Sequence, residues 1–297
     1  MTTLVLPVTE SVRRPRFEGA NIRTWIGFKH FMYLVEEAVL DWLREHTPGA
    51  RALYLEHGLG VEIVDSSVLL PAVLEIDDEV RARVTPTAPG RFTVTLHATR
   101  GDRAVSVLRG KVTIALVRES EPPGSAPLPA EVGALLPEPV TRLDGVGAPT
   151  DVPADAFSWS WRAPYFYCHF SDRVQHSGYV RALEEVVDRF LADRGLSVGL
   201  LLREPGWIPV VSRARVRVLA AAHMEEVVHT TFVVDDIVRD TMFDARMDCF
   251  VERDGERVPV ATARILHGYA VSRGPAAGAL ATLDGAVVAA LTGAGTP

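Results

Sequence analysis

The sequence has 297 residues, of which 47% are hydrophobic and 23% charged, and its formal net charge is −7. This length suffices for two domains, and this hydrophobicity argues against extensive disorder. The acidic balance disfavours a nucleic-acid partner, because phosphate binding needs a basic face. Since no apolar run approaches the ~20 residues of a membrane span and the first residues lack the order of a secretory signal, we expect a soluble, cytoplasmic protein without a membrane partner.

The cysteine and histidine patterns predict neither a disulfide framework nor a metal site. Cys168 and Cys249 are the only cysteines and are expected to be buried thiols. His223, His229 and His267 have no metal-ligand spacing, which favours structural or surface roles. We therefore expect no metal.

Composition divides the chain into two halves of similar size. Residues 119–153 are rich in proline and glycine, which predicts an extended polar linker. The linker separates an N-terminal domain, residues 1–118, from a C-terminal domain, residues 154–273. Residues 274–297 are rich in alanine and glycine and are expected to form a tail, with a short helix within 277–291 as the alternative.

Each half contains a helix with the same apolar stripe. The stripe has the i, i+4, i+7, i+11 spacing of a buried helical face, and the second copy follows the first at a constant offset of 148 residues. The adjacent acids Glu36-Glu37 and Glu184-Glu185 match under the same offset. The stripes are Phe31, Val35, Ala38 and Trp42 in the first half, and Tyr179, Leu183, Val186 and Phe190 in the second.

Alternating, β-branched segments follow each helix and predict an antiparallel meander. Arg253-Asp254-Gly255-Glu256 has the composition of a hairpin turn. The predicted strands are Gly60–Val64, Val68–Ile76, Glu79–Pro86, Arg91–Thr99 and Ala104–Val117 in the first half, and Val210–Leu219, Glu226–Val234, Thr241–Glu252 and Val258–Val271 in the second. Each half is thus one long helix that an antiparallel sheet must cover.

This architecture resembles the hotdog fold, and two copies in one chain resemble the double-hotdog proteins, an α+β class. The resemblance lies in the run from Tyr167 to Tyr179, which continues into Leu183-Glu184-Glu185. His169-Phe170, Gly178 and Glu184 are similar to the signature of the β-hydroxyacyl-ACP dehydratases. Glu184 lies one residue later than in that family, however, and Val174 and Ser177 replace its prolines.

The same run also resembles the acyl-CoA thioesterases of the 4-hydroxybenzoyl-CoA type. Gln175-His176 match a polar pair, Tyr179 a tyrosine, and Leu183-Glu184-Glu185 the helix motif, although His169 stands where that family has Asp. Segments further along the chain, beginning with Trp207–Val211, favour this second family. In the first half the offset places Asn21 opposite His169 and Gly27-Phe28 opposite Gln175-His176, so the fold signal persists while most of the polar motif is lost.

The resemblance implies an active site at a helix N-terminus, centred on the second half's turn. Backbone N–H groups at Gly178-Tyr179 would bind the thioester oxygen, and Glu184 would act as general base or nucleophile. The other residues predicted to contribute are His169, Gln175, His176 and Asp172 as catalytic groups, and Glu36, Glu37, Asn21 and Phe28 as substrate-binding groups, the two acids from across the pseudo-dimer. The structural alternatives are a core histidine, a helix cap, a turn-forming Asp172, solvated acids and core packing for Phe28.

The function that this resemblance favours is hydrolysis of an acyl-CoA or acyl-ACP, with a fatty-acyl or polyketide group. Dehydration of a β-hydroxyacyl thioester is the runner-up, and acyl transfer, cyclisation or non-catalytic acyl binding are further alternatives. No cofactor is expected, because the substrate carries its own CoA or phosphopantetheine. The expected partner is the small-molecule acyl thioester; an acyl carrier protein and a homodimer stay open as further partners.

Overall fold

The computed structural model describes residues 6–145, 152–153 and 156–293. Its first half contains β1 (Thr9–Arg13), α1 (Phe28–His46), α2 (Gly49–His57), β2 (Leu59–Leu69), β3 (Glu79–Ala88), β4 (Arg91–Arg100) and β5 (Arg103–Arg118). A short helix, α3 (Ala130–Gly133), follows. The second half contains β6 (Phe157–Arg162), β7 (Cys168–His169), β8 (Arg173–Val174), α4 (His176–Asp193), α5 (Val198–Arg203), β9 (Trp207–Val218), β10 (Val227–Val238), β11 (Met242–Arg253), β12 (Glu256–Val271) and α6 (Gly285–Thr292).

Ten strands form one antiparallel sheet with five strands from each half, in the order β1-β3-β4-β5-β2-β9-β12-β11-β10-β6. The halves meet where β2 pairs with β9, and there Ser67 lies opposite Arg215. These two residues differ by the repeat offset of 148, so an approximate two-fold axis passes between them. Because the two central strands pair, the edge strands of this ten-stranded sheet, within the described residues, are the short β1 and β6.

The two long helices obey the same symmetry. α1 begins at Phe28 and α4 at His176, which again differ by 148 residues. The helices run antiparallel, since Arg181 Nε donates to Tyr33 Oη at 2.5 Å while the backbone N–H of Lys29 donates to Glu184. Both predicted stripes are buried, and burying one such side chain contributes about 2 kcal/mol. The predicted architecture of two helix-and-sheet halves in one chain is confirmed.

The predicted break within the first strand is wrong. Gly60–Val64 and the start of Val68–Ile76 form one continuous strand, β2, and residues 70–78 leave the sheet. The polar residues between the two predicted segments are satisfied inside the sheet, because Ser66 Oγ lies 2.8 Å from His176 Nε2 and Asp65 pairs with Arg215. Asp254 and Gly255 have the positive φ angles of the predicted hairpin turn between β11 and β12.

The linker and the tail are more closely packed than predicted. Leu136 is buried, and Val140 bridges to Val117 at the end of β5. Ala281 and Leu283 are buried, and Val271 N donates to Ala279 O at 2.9 Å. The sequence prediction missed the apolar contacts of these segments because the segments contain few large side chains. Residues 146–151, 154–155 and 294–297 of the predicted linker, domain and tail lie outside the described residues.

The other composition-based predictions have mixed outcomes. Of the two cysteines predicted to be buried, Cys249 is buried and Cys168 is half-buried. None of the helices in the described ranges combines the length and apolar composition of a membrane-spanning segment.

Candidate active site

A cavity of about 880 Å³ lies at the N-terminus of α1. One wall is the turn that leads into α1, from Asn21 to Phe28, together with residues 70–73. The other wall belongs to the second half, with side chains from α4, β9 and β12. The lining is mostly apolar, which suits an acyl chain. The apolar side chains include Phe31, Val187, Leu191, Ile208 and Ile265.

Glu184 projects from α4 into the wall of this cavity and contacts α1. Its Oε1 accepts the backbone N–H of Lys29 at 2.8 Å, and its Oε2 lies 3.9 Å from Lys29 Nζ. The side chain is 28% exposed. Burial raises the pKa of Glu184, while the N–H and the ammonium of Lys29 act in the opposite direction. A carboxylate with a raised pKa beside a cavity is suited to accepting a proton.

The N-terminus of α1 lies at the same place. No side chain caps this helix at its N-cap residue, Gly27. The first N–H groups of an α-helix have no acceptor in the regular helical pattern. Here the N–H of Lys29 donates to Glu184, and the N–H of His30 donates to Gly27 O at 3.1 Å. The N–H of Phe28 makes no hydrogen bond within the described ranges. The N–H of Phe28 and the helix dipole can therefore stabilise negative charge that develops at this end of α1.

Asn21 places a side-chain amide beside the same helix end. A Cβ on Gly27 would lie 2.1 Å from Asn21 Nδ2, so the amide packs directly on the glycine backbone. Asn21 also lines the cavity. The structure therefore gathers three of the predicted site residues, Asn21, Phe28 and Glu184, around the start of α1.

The corresponding turn of the second half contains a buried ion cluster. His169 Nε2 lies 2.8 Å from Glu62 Oε2, and Arg173 Nε donates to Glu62 Oε1 at 2.9 Å. Arg173 also donates to both carboxylate oxygens of Glu119, at 2.9 and 2.5 Å. The side chains of Arg173, Glu62 and Glu119 are 10%, 4% and 6% exposed. Glu36 faces this turn, and its burial raises its pKa while His169 opposes the rise.

Other predicted residues at this second turn have structural partners. His176 is buried against Ser66, and burial lowers its pKa to about 4, so the ring is neutral at pH 7. Asp172 pairs with His223 at 3.0 Å on the surface. Glu37 lies 3.5 Å from Arg44 and 3.7 Å from Arg13, so it pairs with its own half instead of facing the turn.

The remaining predicted residues form the beginning of α4. Gln175 is the N-cap residue, and its N–H donates to Tyr167 O at 2.9 Å, with no side-chain cap bond. A Cβ on Gly178 would lie 3.0 Å from Val174 and 3.3 Å from the ring of Tyr167, so this glycine allows close packing. Tyr179 is fully buried. The oxyanion role of Gly178-Tyr179 stays a prediction.

The expected grouping of Glu184 with His169, Gln175 and His176 differs from the structure. Glu184 lies eight residues along α4 from His176, a separation of about 12 Å along the helix axis. Because α1 and α4 are antiparallel, its carboxylate reaches the start of α1 instead. The repeat offset could have predicted this position of Glu184, since a pseudo-two-fold axis pairs the acid of one half with the turn of the other. Lys29 was missed for the same reason.

Comparisons with known proteins agree with this architecture. Residues 157–290 match the model of the thioesterase-like superfamily. The 12:0-ACP thioesterase from Umbellularia californica is 12% identical, with a TM-score of 0.63 over 88% of this chain and 97% of that one. An acyl-ACP thioesterase from Bacteroides thetaiotaomicron is 9% identical, with a TM-score of 0.56 over 88% and 97% of the two chains. No curated protein matches. The double-hotdog fold therefore extends over most of the chain.

Proposed function

Because residues 157–290 match the model of the thioesterase-like superfamily and the chain has a double-hotdog fold, we propose that this protein hydrolyses an acyl thioester at the cavity beside Glu184. The observation that carries the proposal is the Glu184 carboxylate, which lies at the N-terminus of α1 and at the wall of a mainly apolar cavity. The acyl group, carried on CoA or an acyl carrier protein, would occupy the cavity with its thioester carbonyl at the helix end.

The chemistry follows from the groups around that helix end. Glu184 accepts a proton from a water molecule whose oxygen attacks the carbonyl carbon. The carbonyl oxygen becomes negative and is stabilised by the N–H of Phe28 and the amide of Asn21, together with the helix dipole. The C–S bond then breaks, and the products are a carboxylic acid and a free thiol. The proton that Glu184 accepted is available to the leaving sulfur.

Dehydration, the runner-up of the sequence analysis, has no support in the comparisons. The base that it requires is His169, whose Nε2 is bonded to Glu62. Release of free thiol from a panel of short, medium, aromatic and β-hydroxy acyl thioesters tests the hydrolysis directly. Loss of water without thiol release would contradict hydrolysis, and binding without any turnover would favour an acyl-binding protein.

The pH dependence of hydrolysis should follow the ionisation of Glu184. Burial raises the pKa of Glu184 above its usual value of about 4.5. Since the protonated carboxyl cannot act as a base, kcat/KM should fall as the pH is lowered, and the fall should begin above that usual value. Lys29→Met removes the ammonium that favours the charged carboxylate but keeps the backbone N–H, so the acidic limb should move to higher pH. The plateau should change less than about twofold. The control is Lys111→Met, which changes the only other lysine; an unmoved limb in Lys29→Met would contradict this assignment.

Gly27→Ala should impair hydrolysis without unfolding the protein. The backbone at Gly27 has φ −69° and ψ 156°, which alanine adopts readily. The new Cβ, however, would displace the Asn21 amide from the helix end. We expect kcat/KM to fall by roughly 10²-fold, the cost of losing one oxyanion donor. In an Asn21→Ala background the same change should have little further effect, and a full additional loss there would show that Gly27 does not act through Asn21.

A further inference from the structure

The wall of the cavity contains a histidine that the mechanism does not use. His267 lies on β12, is 3% exposed, and lines the cavity together with Ile265 of the same strand. Its Nδ1 is buried and has no hydrogen-bond partner. The aromatic rings packed against it do not provide one: Phe243 is apolar, and the hydroxyl of Tyr269 is itself buried without a partner.

The imidazole of His267 is neutral. Burial lowers its pKa to about 3, and no neighbouring charge contributes to that shift. A neutral imidazole has one N–H donor and one acceptor nitrogen. Buried polar atoms are nearly always hydrogen-bonded, because leaving them unpaired costs free energy. Nδ1 has almost no accessible surface and does not face the cavity, but the other ring nitrogen, Nε2, also makes no hydrogen bond within the described residues. A ligand oxygen in the cavity would give Nε2 the partner that it lacks.

A second polar side chain lies beside His267 in the same wall. The pairing of β12 with β9 shifts between Leu266, which lies opposite Arg213, and His267, which lies opposite Val211. Ser212 is the extra residue of this β-bulge, and such irregularities redirect side chains. Its carbonyl accepts the N–H of Leu70 at 2.8 Å, and Ser212 is among the residues that line the cavity. The hydroxyl makes no hydrogen bond within the described part of the chain.

We propose that the acyl chain of the substrate carries an uncharged oxygen substituent, a hydroxyl or a carbonyl, which hydrogen-bonds to His267 with Ser212 as its neighbour. The proposal rests on the proposed function, because it assumes that the acyl group enters this cavity. A hydroxyl suits a neutral imidazole best, since it both donates and accepts. A carboxylate or ammonium at this position would lose its hydration in a mostly apolar lining without a charged partner, so a charged substituent is disfavoured.

The first test compares hydrolysis of two acyl-CoA series of equal chain length, unsubstituted and hydroxylated at successive carbons. The wild type should prefer one hydroxylated isomer by about tenfold in kcat/KM, the value of a buried hydrogen bond that the unsubstituted chain leaves unmade. His267→Leu should abolish this preference, because its kcat/KM on the unsubstituted acyl-CoA should rise. His267→Gln, which keeps a donor and an acceptor, should retain part of it, and Ile265→Val, an apolar change in the same wall, should retain all of it.

A binding measurement separates failure of this inference from failure of the proposed function. Non-hydrolysable thioether analogues of the preferred hydroxyacyl-CoA and of the unsubstituted acyl-CoA are titrated into wild type and His267→Leu. A roughly tenfold preference in Kd that disappears in the variant supports the inference even if no thioester is hydrolysed. Glu184-dependent hydrolysis with equal Kd values for both analogues would overturn the oxygen substituent and leave the proposed function standing.

Discussion

Glu184→Gln should lower kcat/KM for thiol release by about 10³-fold, within the range that general-base catalysis contributes. The amide has the shape of the carboxylate, and its oxygen can still accept the N–H of Lys29, so the start of α1 keeps its partner. What the variant loses is the ability to take a proton from water. The measurement is release of free thiol on the preferred substrate, with thermal unfolding recorded to show that the fold is kept.

Two matched variants make this result specific to the cavity. Glu185→Gln changes the next residue of α4, an exposed acid that pairs with Arg189 at 2.7 Å. Glu36→Gln changes the symmetry-related acid, which faces the ion cluster at the second turn. Both should keep kcat/KM within about twofold, since surface pairs contribute little and the second turn is not used. If Glu36→Gln lost thiol release and Glu184→Gln kept it, the active site would instead lie at the second turn, beside His169.

Much of the fold was predictable because its signal repeats. An apolar stripe at helical spacing occurs twice at one offset, and the observed helices begin at Phe28 and His176, which differ by that same offset. Apart from β2, the long strands after each helix were predicted to within a few residues for the same reason. The edge strands β1 and β6 were missed, because five or six residues give little periodic signal.

The site was harder to predict, because it depends on which half supplies each group. The sequence motif groups Glu184 with His169, fifteen residues earlier in the chain, whereas the antiparallel helices place its carboxylate beside Lys29, 155 positions away. His267 was assigned a structural or surface role, since a single histidine on a strand gives no sign of what its ring will contact. Only the packed structure shows that its Nδ1 lacks a partner.

The two halves have diverged at matching positions of β2 and β9. Ile208 and Val210 line the cavity, whereas the residues at the same offset in the first half are Gly60 and Glu62. A Cβ on Gly60 would lie 2.3 Å from Glu119 Oε1 and 2.5 Å from Arg173 Nη2, so the glycine makes room for the ion cluster. The apolar cavity is therefore kept at the N-terminus of α1, while charged side chains fill the corresponding space at the N-terminus of α4.

Arg173→Met should destabilise the protein strongly, because it leaves Glu62 and Glu119 buried without their cation. Breaking a buried ion pair in this way costs about 3–5 kcal/mol, which corresponds to a fall in Tm of about 10 °C. Below the transition, thiol release that depends on Glu184 should persist, since Arg173 does not line the cavity. Arg189→Met, which removes an exposed cation from α4, should change Tm by no more than about 2 °C.

A triple variant tests whether the lost stability comes from unpaired buried charge or from lost packing around Arg173. Arg173→Met combined with Glu62→Leu and Glu119→Leu removes the charges of these three residues and keeps side chains of similar size. Because apolar groups need no desolvated partner, most of the lost Tm should return. If the single variant leaves Tm unchanged, the charges are not buried as the structure has them. If the triple variant stays as unstable as the single one, packing around Arg173, and not unpaired charge, is the source of the loss.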